Sequence, residues 1–264
     1  MATALITGAS AGLGLEFAWQ LAAAQHDLVV VARDADRLDR LADHLRAAAG
    51  IKVEVLAADL ADREQTERVA ERLRTLDNPV SLLVNNAGYA VDEPFLGGDL
   101  AKQEASLDVM VRAVMVLSHA ATGQMVARER GAILNVSSIA ALTASGTYSA
   151  SKAWVRAFTE GLAVELRDSG VTATALCPGL VRTEFHERAG LDYSHLPEVV
   201  WLNAADVVSA ALADVRRGVV ISTPSLRYQA ASGLLRALPR AAVRAIQGSG
   251  SMRAASVVAA SLES

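Results

Sequence analysis

The chain has 264 residues, 52% of them hydrophobic and 20% charged, with a formal charge of −4. That length suffices for one large domain with a substantial core, and the single cysteine, Cys177, excludes a disulfide framework and points to a reducing compartment. The five histidines show no pairing at helical intervals, no stretch offers the ~20 uncharged apolar residues of a membrane-spanning helix, and "MATALITGAS" lacks the pattern of a signal peptide, so the expected setting is cytoplasmic and metal-free.

In chain order, the apolar runs 3–7, 27–32, 52–58, 81–84, 132–137, 171–177 and 218–222 read as seven strands. Most show little polar alternation, as expected of parallel strands covered on both faces. Helix-length stretches separate them. In "DADRLDRLADHLRAAAG" (34–50), Leu38, Leu41 and Leu45 recur at the helical interval. Strand and helix alternating in this way predict an α/β fold, a doubly wound parallel sheet with helices on both faces.

Directly after the first strand, "TGASAGLGLEFA" (7–18) sets Gly8, Gly12 and Gly14 in a Gly-x-x-x-Gly-x-Gly spacing, and a helical pattern follows at once. Glycines let backbone N–H groups approach a pyrophosphate, and a helix N-terminus adds partial positive charge. A tight turn shaped by sterics alone would use glycine too. The position after the first strand favours the dinucleotide.

Further along, "GTYSASKAW" (146–154) puts Tyr148 and Lys152 one helical turn apart, a phenol and an ammonium on one face. A surface pair has the same spacing, so its company decides the reading. Beyond residue 224 the chain turns basic: residues 215–262 hold seven of the 25 basic residues and none of the 29 acidic ones. Arg236, Arg240 and Arg244 recur every four residues beside Leu234, Leu235, Leu238, Val243 and Ile246, with Pro239 set to interrupt the helix. We read 225–264 as a basic helical extension that covers the core or a subunit interface; lying on an anionic membrane is the alternative. No aromatic residue pairs with the stripe of Arg236, Arg240 and Arg244, which argues against nucleic acid.

The glycine turn, "NNAG" (85–88), "NVSS" (135–138), "YSASK" (148–152) and "CPGLVRT" (177–183) occur together in an order that resembles the short-chain dehydrogenase/reductase family in its compact, single-domain, Rossmann-type form. The resemblance spans about residues 2–224, which sets the expected domain at 1–224 with a substrate lid at about 182–203. It implies Tyr148 as general acid/base, Lys152 as the charge that favours phenolate and binds the nicotinamide ribose, and Ser138 as the group that polarises the substrate oxygen, with Ser137 an alternative. It implies a cofactor site of Gly8, Ser10, Gly12, Leu13, Gly14, Arg33, Asp59, Leu60, Asn86, Ala87, Gly88, Tyr148, Lys152, Pro178, Gly179, Val181 and Thr183.

Two departures from the family pattern stand out. Met110 occupies the position of a usual Asn that helps hold a water linking the lysine to solvent, and a thioether cannot replace those hydrogen bonds. The loop from Ser138 to Tyr148 is also shorter than usual. At the end of the second strand, Arg33 stands where NAD-preferring members carry an acid; a guanidinium there suits a 2′-phosphate, so NADP(H) is expected over NAD(H). Phe185, Tyr193, Leu196 and Trp201 in the lid, with Trp154 near the catalytic helix start, point to an apolar or aromatic carbonyl substrate. The expected activity is hydride transfer between NADP and a carbonyl or secondary alcohol, in a homo-oligomer (dimer or tetramer). A cofactor-sensing or scaffold protein on the same fold is the alternative.

Overall fold

The computed structural model describes residues 2–184 and 196–247. Seven parallel strands form one sheet in the order β3-β2-β1-β4-β5-β6-β7. They are β1 (Thr3–Thr7), β2 (Asp27–Ala32), β3 (Val53–Ala57), β4 (Val80–Asn85), β5 (Gly131–Val136), β6 (Val171–Leu176) and β7 (Ile221–Ser222). The first two match the apolar runs residue for residue. The last is shorter than its run, because only Ile221 and Ser222 find ladder partners, at Ala175 and Leu176.

Successive residues of each strand face opposite sides of the sheet, and each side is sealed by helices. Ala4 and Ile6 of β1 join one core with α1 (Gly12–Ala23), α2 (Ala35–Ala49) and α7 (Ala204–Arg216), filled by Phe17, Leu38, Leu45 and Val208. Leu5 joins the other with α3 (Arg63–Arg74), α5 (Ala113–Ala127) and α6 (Gly146–Glu165), filled by Val69, Leu73, Leu117 and Met125. Two cores on two faces explain why these strands carry no polar alternation.

Between β4 and β5, α4 (Leu100–Leu107) runs into a π-helical turn (Asp108–Arg112) and then α5. Leu100–Ala127 is long and apolar enough by composition to cross a membrane, and 56% of its most apolar window is buried. It packs as a core helix of this sheet, with Asp108 and Arg112 paired across the π turn at 3.3 Å.

After β7 come α8 (Leu226–Ala237) and α9 (Arg240–Gln247), separated at Pro239 as its ring requires. The basic side chains here do not form one continuous stripe. Arg227 donates to the Val199 carbonyl at 3.1 Å, and Arg240 donates to the carbonyls of Leu142 and Thr143 at 2.8 and 3.3 Å.

The strand order reverses at β1, whose neighbours are β2 and β4. In an open α/β sheet this reversal leaves a crevice beyond the carboxyl ends of the strands.

Candidate active site

That crevice holds about 1020 Å³. The glycine turn floors one end. Gly8 and Gly12 adopt φ of +67° and +55°, the left-handed region in which a side chain is strained. A Cβ on Gly14 would lie 2.1 Å from the Gly8 carbonyl oxygen, and one on Gly8 would lie 2.8 Å from Asn86 Nδ2. Asn86 in turn donates to the carbonyls of Thr7 and Gly8, at 2.9 and 3.3 Å, while Thr7 Oγ1 accepts from the N–H groups of Asn86 and Ala87, both at 3.0 Å. The turn is thereby fixed against the end of β4. The residue before α1, Ala11, offers no side-chain acceptor to the first N–H groups of that helix. The first N–H groups of a helix have no intrahelical acceptor and can hold an anion such as a dinucleotide pyrophosphate.

At the far end of β2, Arg33 and Arg37 both line the crevice. Asp34, between them, caps α2: its carboxylate accepts the Arg37 N–H at 2.9 Å. Arg37 also pairs with Glu184 at 3.4 Å. Asp59 accepts from the N–H of Ala61 at 2.9 Å, and Arg112 Nη2 donates to the Ala61 carbonyl at 2.6 Å, so the segment after β3 is held by the π turn.

The reactive end is assembled by β5 and α6. Lys152 is buried, and its Nζ donates to the Val136 carbonyl at 2.8 Å and lies 5.8 Å from the centre of the Tyr148 ring. Burial lowers its pKa from 10.5 to about 8, with the neighbouring Cys177 opposing. Met110 is buried beside it. A Cβ on Gly88 would meet Met110 Cγ at 3.2 Å and both Lys152 Nζ and Met110 Sδ at 3.4 Å.

The two serines differ in what they touch. Ser137 Oγ donates to the Lys152 carbonyl at 2.7 Å and also bonds the Cys177 thiol, whose pKa burial raises. Ser138 Oγ accepts the Ala140 N–H at 3.1 Å, opening a 3₁₀ turn at Ile139–Leu142. A hydroxyl that accepts a backbone N–H keeps its own proton to donate. The short loop after Ser138 is compact: Thr143 Oγ1 bonds the Ala140 carbonyl and Ser149 Oγ, both at 2.8 Å. Thr147 Oγ1 donates to Gln103 at 2.6 Å, tying the start of α6 to α4. Behind the site a buried chain runs from Asn85 to Asn135 (2.9 Å) and on to Thr159 (3.0 Å), locking β4, β5 and α6 together.

All the catalytic and cofactor-binding residues expected from the sequence line this crevice except Gly14, whose missing side chain leaves room for the Gly8 carbonyl. The expectation for the aromatic residues needs correction. Trp154 does not line the crevice; its ring stacks on Phe158 of the same helix, with centroids 4.8 Å apart. Trp201 takes the Arg182 guanidinium on its face and packs with Leu196 and Val200. Phe185 and Tyr193 lie outside the described residues. Besides Tyr148, Tyr89 and Tyr228 line the crevice, and Tyr228 of α8 does so beside Leu180. Its hydroxyl donates to Val200 at 2.7 Å and accepts from the Leu180 N–H at 3.2 Å, and its ring fills the space a Gly179 side chain would need. No motif marks Tyr228 or Arg37; only the helical repeat after β2 places Arg37 one turn from Arg33.

A model of the short chain dehydrogenase family matches residues 2–193. The chain belongs to that family. It is thus an oxidoreductase of a family that uses nicotinamide cofactors. A short-chain dehydrogenase from Sphingobium yanoikuyae, solved with NADPH, is 36% identical and superposes with a TM-score of 0.81 over 91% of this chain and 98% of that one. A bulky-bulky ketone specific alcohol dehydrogenase from Comamonas testosteroni is 30% identical, with a TM-score of 0.77 over 91% of this chain and 96% of that one. Dehydrogenase/reductase SDR family member 11 of Gallus gallus is 34% identical over 230 residues, covering 79% of this chain and 88% of that one.

Proposed function

We propose that the enzyme is an NADP-dependent reductase or dehydrogenase for an apolar carbonyl compound or the matching secondary alcohol, with Tyr148 as its general acid/base. The observation that carries this reading is the meeting of Ser138, Tyr148 and Lys152 in a crevice whose other end is a glycine turn under a helix N-terminus. A nicotinamide bound along the crevice would supply or accept the hydride. Ser138, with its proton available, donates a hydrogen bond to the substrate oxygen. Tyr148 gives that oxygen its proton in reduction and takes it in oxidation. Lys152, an ammonium held between Val136 and the Tyr148 ring, favours phenolate and brings a phenol of ordinary pKa near 10 toward the working range. Arg33 and Arg37 would hold the 2′-phosphate that distinguishes NADP, and the NADPH complex of the Sphingobium relative supports the same preference. Near the reactive end, Val91, Ile139, Leu180 and Tyr228 make an apolar wall that suits a hydrophobic substrate. The bulky ketones named for the Comamonas relative fit the same reading. The buried lone thiol of Cys177 agrees with a cytoplasmic setting, and we expect a homo-oligomer.

The test pairs nucleotide titration with turnover. Tyr148→Phe removes the only proton the phenol has to give, so ketone reduction should fall at least about 10³-fold with NADPH affinity held within about twofold. Full turnover by the Phe variant would end this mechanism.

A further inference from the structure

The basic extension reaches the crevice from beyond residue 193, where the family match ends, and it holds both loops at the substrate end. On one side, Tyr228 of α8 bonds Leu180 and Val200, and Arg227 donates to the Val199 carbonyl. On the other, Arg240 donates from Nη1 to the Leu142 carbonyl at 2.8 Å and from Nη2 to the Thr143 carbonyl at 3.3 Å. One planar fork thus spans two successive carbonyls of the loop between Ser138 and Tyr148. Arg240 opens α9, where the helix dipole disfavours a cation, and its bonds to the loop offset that cost. Val243, three residues on, is buried, so α9 has an apolar anchor besides that fork. The ends of the loop have supports of their own. The Ile139 N–H donates to the Pro178 carbonyl at 3.0 Å, and Thr147 is tied to Gln103 at 2.6 Å. Ala140, Thr143 and Ser145 lie between and line the crevice, and Arg240 grips this middle stretch.

We propose that Arg240 is a positioning residue for the substrate: acting through the 140–145 wall, it fixes the width of the crevice at the reactive end and so selects carbonyl compounds large enough to touch that wall. This rests on the reductase reading. The loop carries no reacting group between Ser138 and Tyr148, and those two are held from the end of β5 and from α6. Release of Arg240 therefore loosens contact with a substrate and leaves hydride transfer and cofactor binding in place. A ketone too small to reach the wall does not register the change. Tyr228 keeps the opposite wall, so the extension is a clasp with two separable arms.

Hydrogen exchange and steady-state reduction of acetone and acetophenone with NADPH, on the full chain, compare the parent with Arg240→Ala and Arg240→Lys. In Arg240→Ala the amides of 140–145 should exchange about fivefold faster, and KM for acetophenone should rise about fivefold with kcat held within about twofold. For acetone, kcat/KM should stay within about twofold, as should NADPH affinity. Lysine keeps the charge but cannot fork, so Arg240→Lys should restore part of both changes. Equal losses of kcat/KM for the two ketones, or a fall in kcat in place of the rise in KM, would mark a general structural role and refute the proposal. Unchanged exchange at 140–145, or a parent active on acetone alone, would refute it too. A parent inactive on both ketones removes the functional reading, and the inference with it; a parent active on acetophenone whose KM is the same in Arg240→Ala removes the inference alone.

Discussion

Lys152 donates to the carbonyl of Val136 at 2.8 Å, across the sixteen residues that separate the end of β5 from the second turn of α6. The bond fixes the ammonium under the Tyr148 ring, and it does so in a place that disfavours charge. Between pH 8 and 10.5 the unfolded chain holds a proton on this lysine that the folded chain has lost, so stability rises with pH across that window. Below about pH 8 the burial cost is fully present, on the order of 3 kcal/mol. Lys152→Met should abolish turnover and raise the melting temperature at pH 7, with the gain shrinking as pH approaches 10. Thermal denaturation of both proteins at pH 7 and 9.5 checks this; a lower melting temperature for the variant at pH 7 would refute it.

Met110 beside the ammonium offers only a weak sulfur acceptor. The ammonium fraction falls as pH rises through about 8, so reductase activity that depends on it should decline there. Met110→Asn supplies an amide oxygen that favours the charged form, and the declining limb of the pH–rate profile should move to higher pH. An unmoved limb would show that Met110 does not set the lysine's environment.

Tyr228 joins α8 to both Leu180 and Val200 through one hydroxyl. Tyr228→Phe leaves a buried N–H and a carbonyl without that partner and should cost about 1–3 kcal/mol in urea denaturation. Gly179→Ala should cost more, since its Cβ would fall 2.1 Å from the ring carbon Cζ. A Gly179→Ala protein as stable as the parent would show that α8 does not press on the 178–184 loop.

The glycines predict a contrast. Gly14→Ala sets a Cβ 2.1 Å from the Gly8 carbonyl oxygen and should abolish NADPH binding. Gly123 and Gly161 lie inside α5 and α6, where an added methyl would meet nothing within 4 Å, so alanine at each should stabilise by up to about 1 kcal/mol. Melting curves and NADPH titration of the three variants separate the roles.

The strands β1 and β2 are legible to the residue because a strand buried on both faces is a continuous apolar run bounded by polar residues. The same rule overextends β7: Val219 and Val220 are as apolar as Ile221, yet only Ile221 and Ser222 pair, with the last two residues of the six-residue β6. The π turn at Asp108–Arg112 has no compositional mark, since it is a shift of hydrogen-bond partner within an otherwise ordinary helix. Trp154 departs from its expected place for a related reason. Proximity in sequence to Tyr148 does not set its direction, and a helix turns residues six apart to different faces.

The sequence by itself determined the alternating α/β order, the glycine turn and the Tyr148–Lys152 pair, because each depends on residues a few positions apart and on their periodicity. Tertiary structure decided the rest. It gave Ser137 to the Lys152 carbonyl and left Ser138 facing the crevice, buried the lysine far enough to lower its pKa, and brought Tyr228 and Glu184 to loops and helices 28 to 147 residues away. Those contacts follow from strand order and packing, and the sheet has to close before any of them exists.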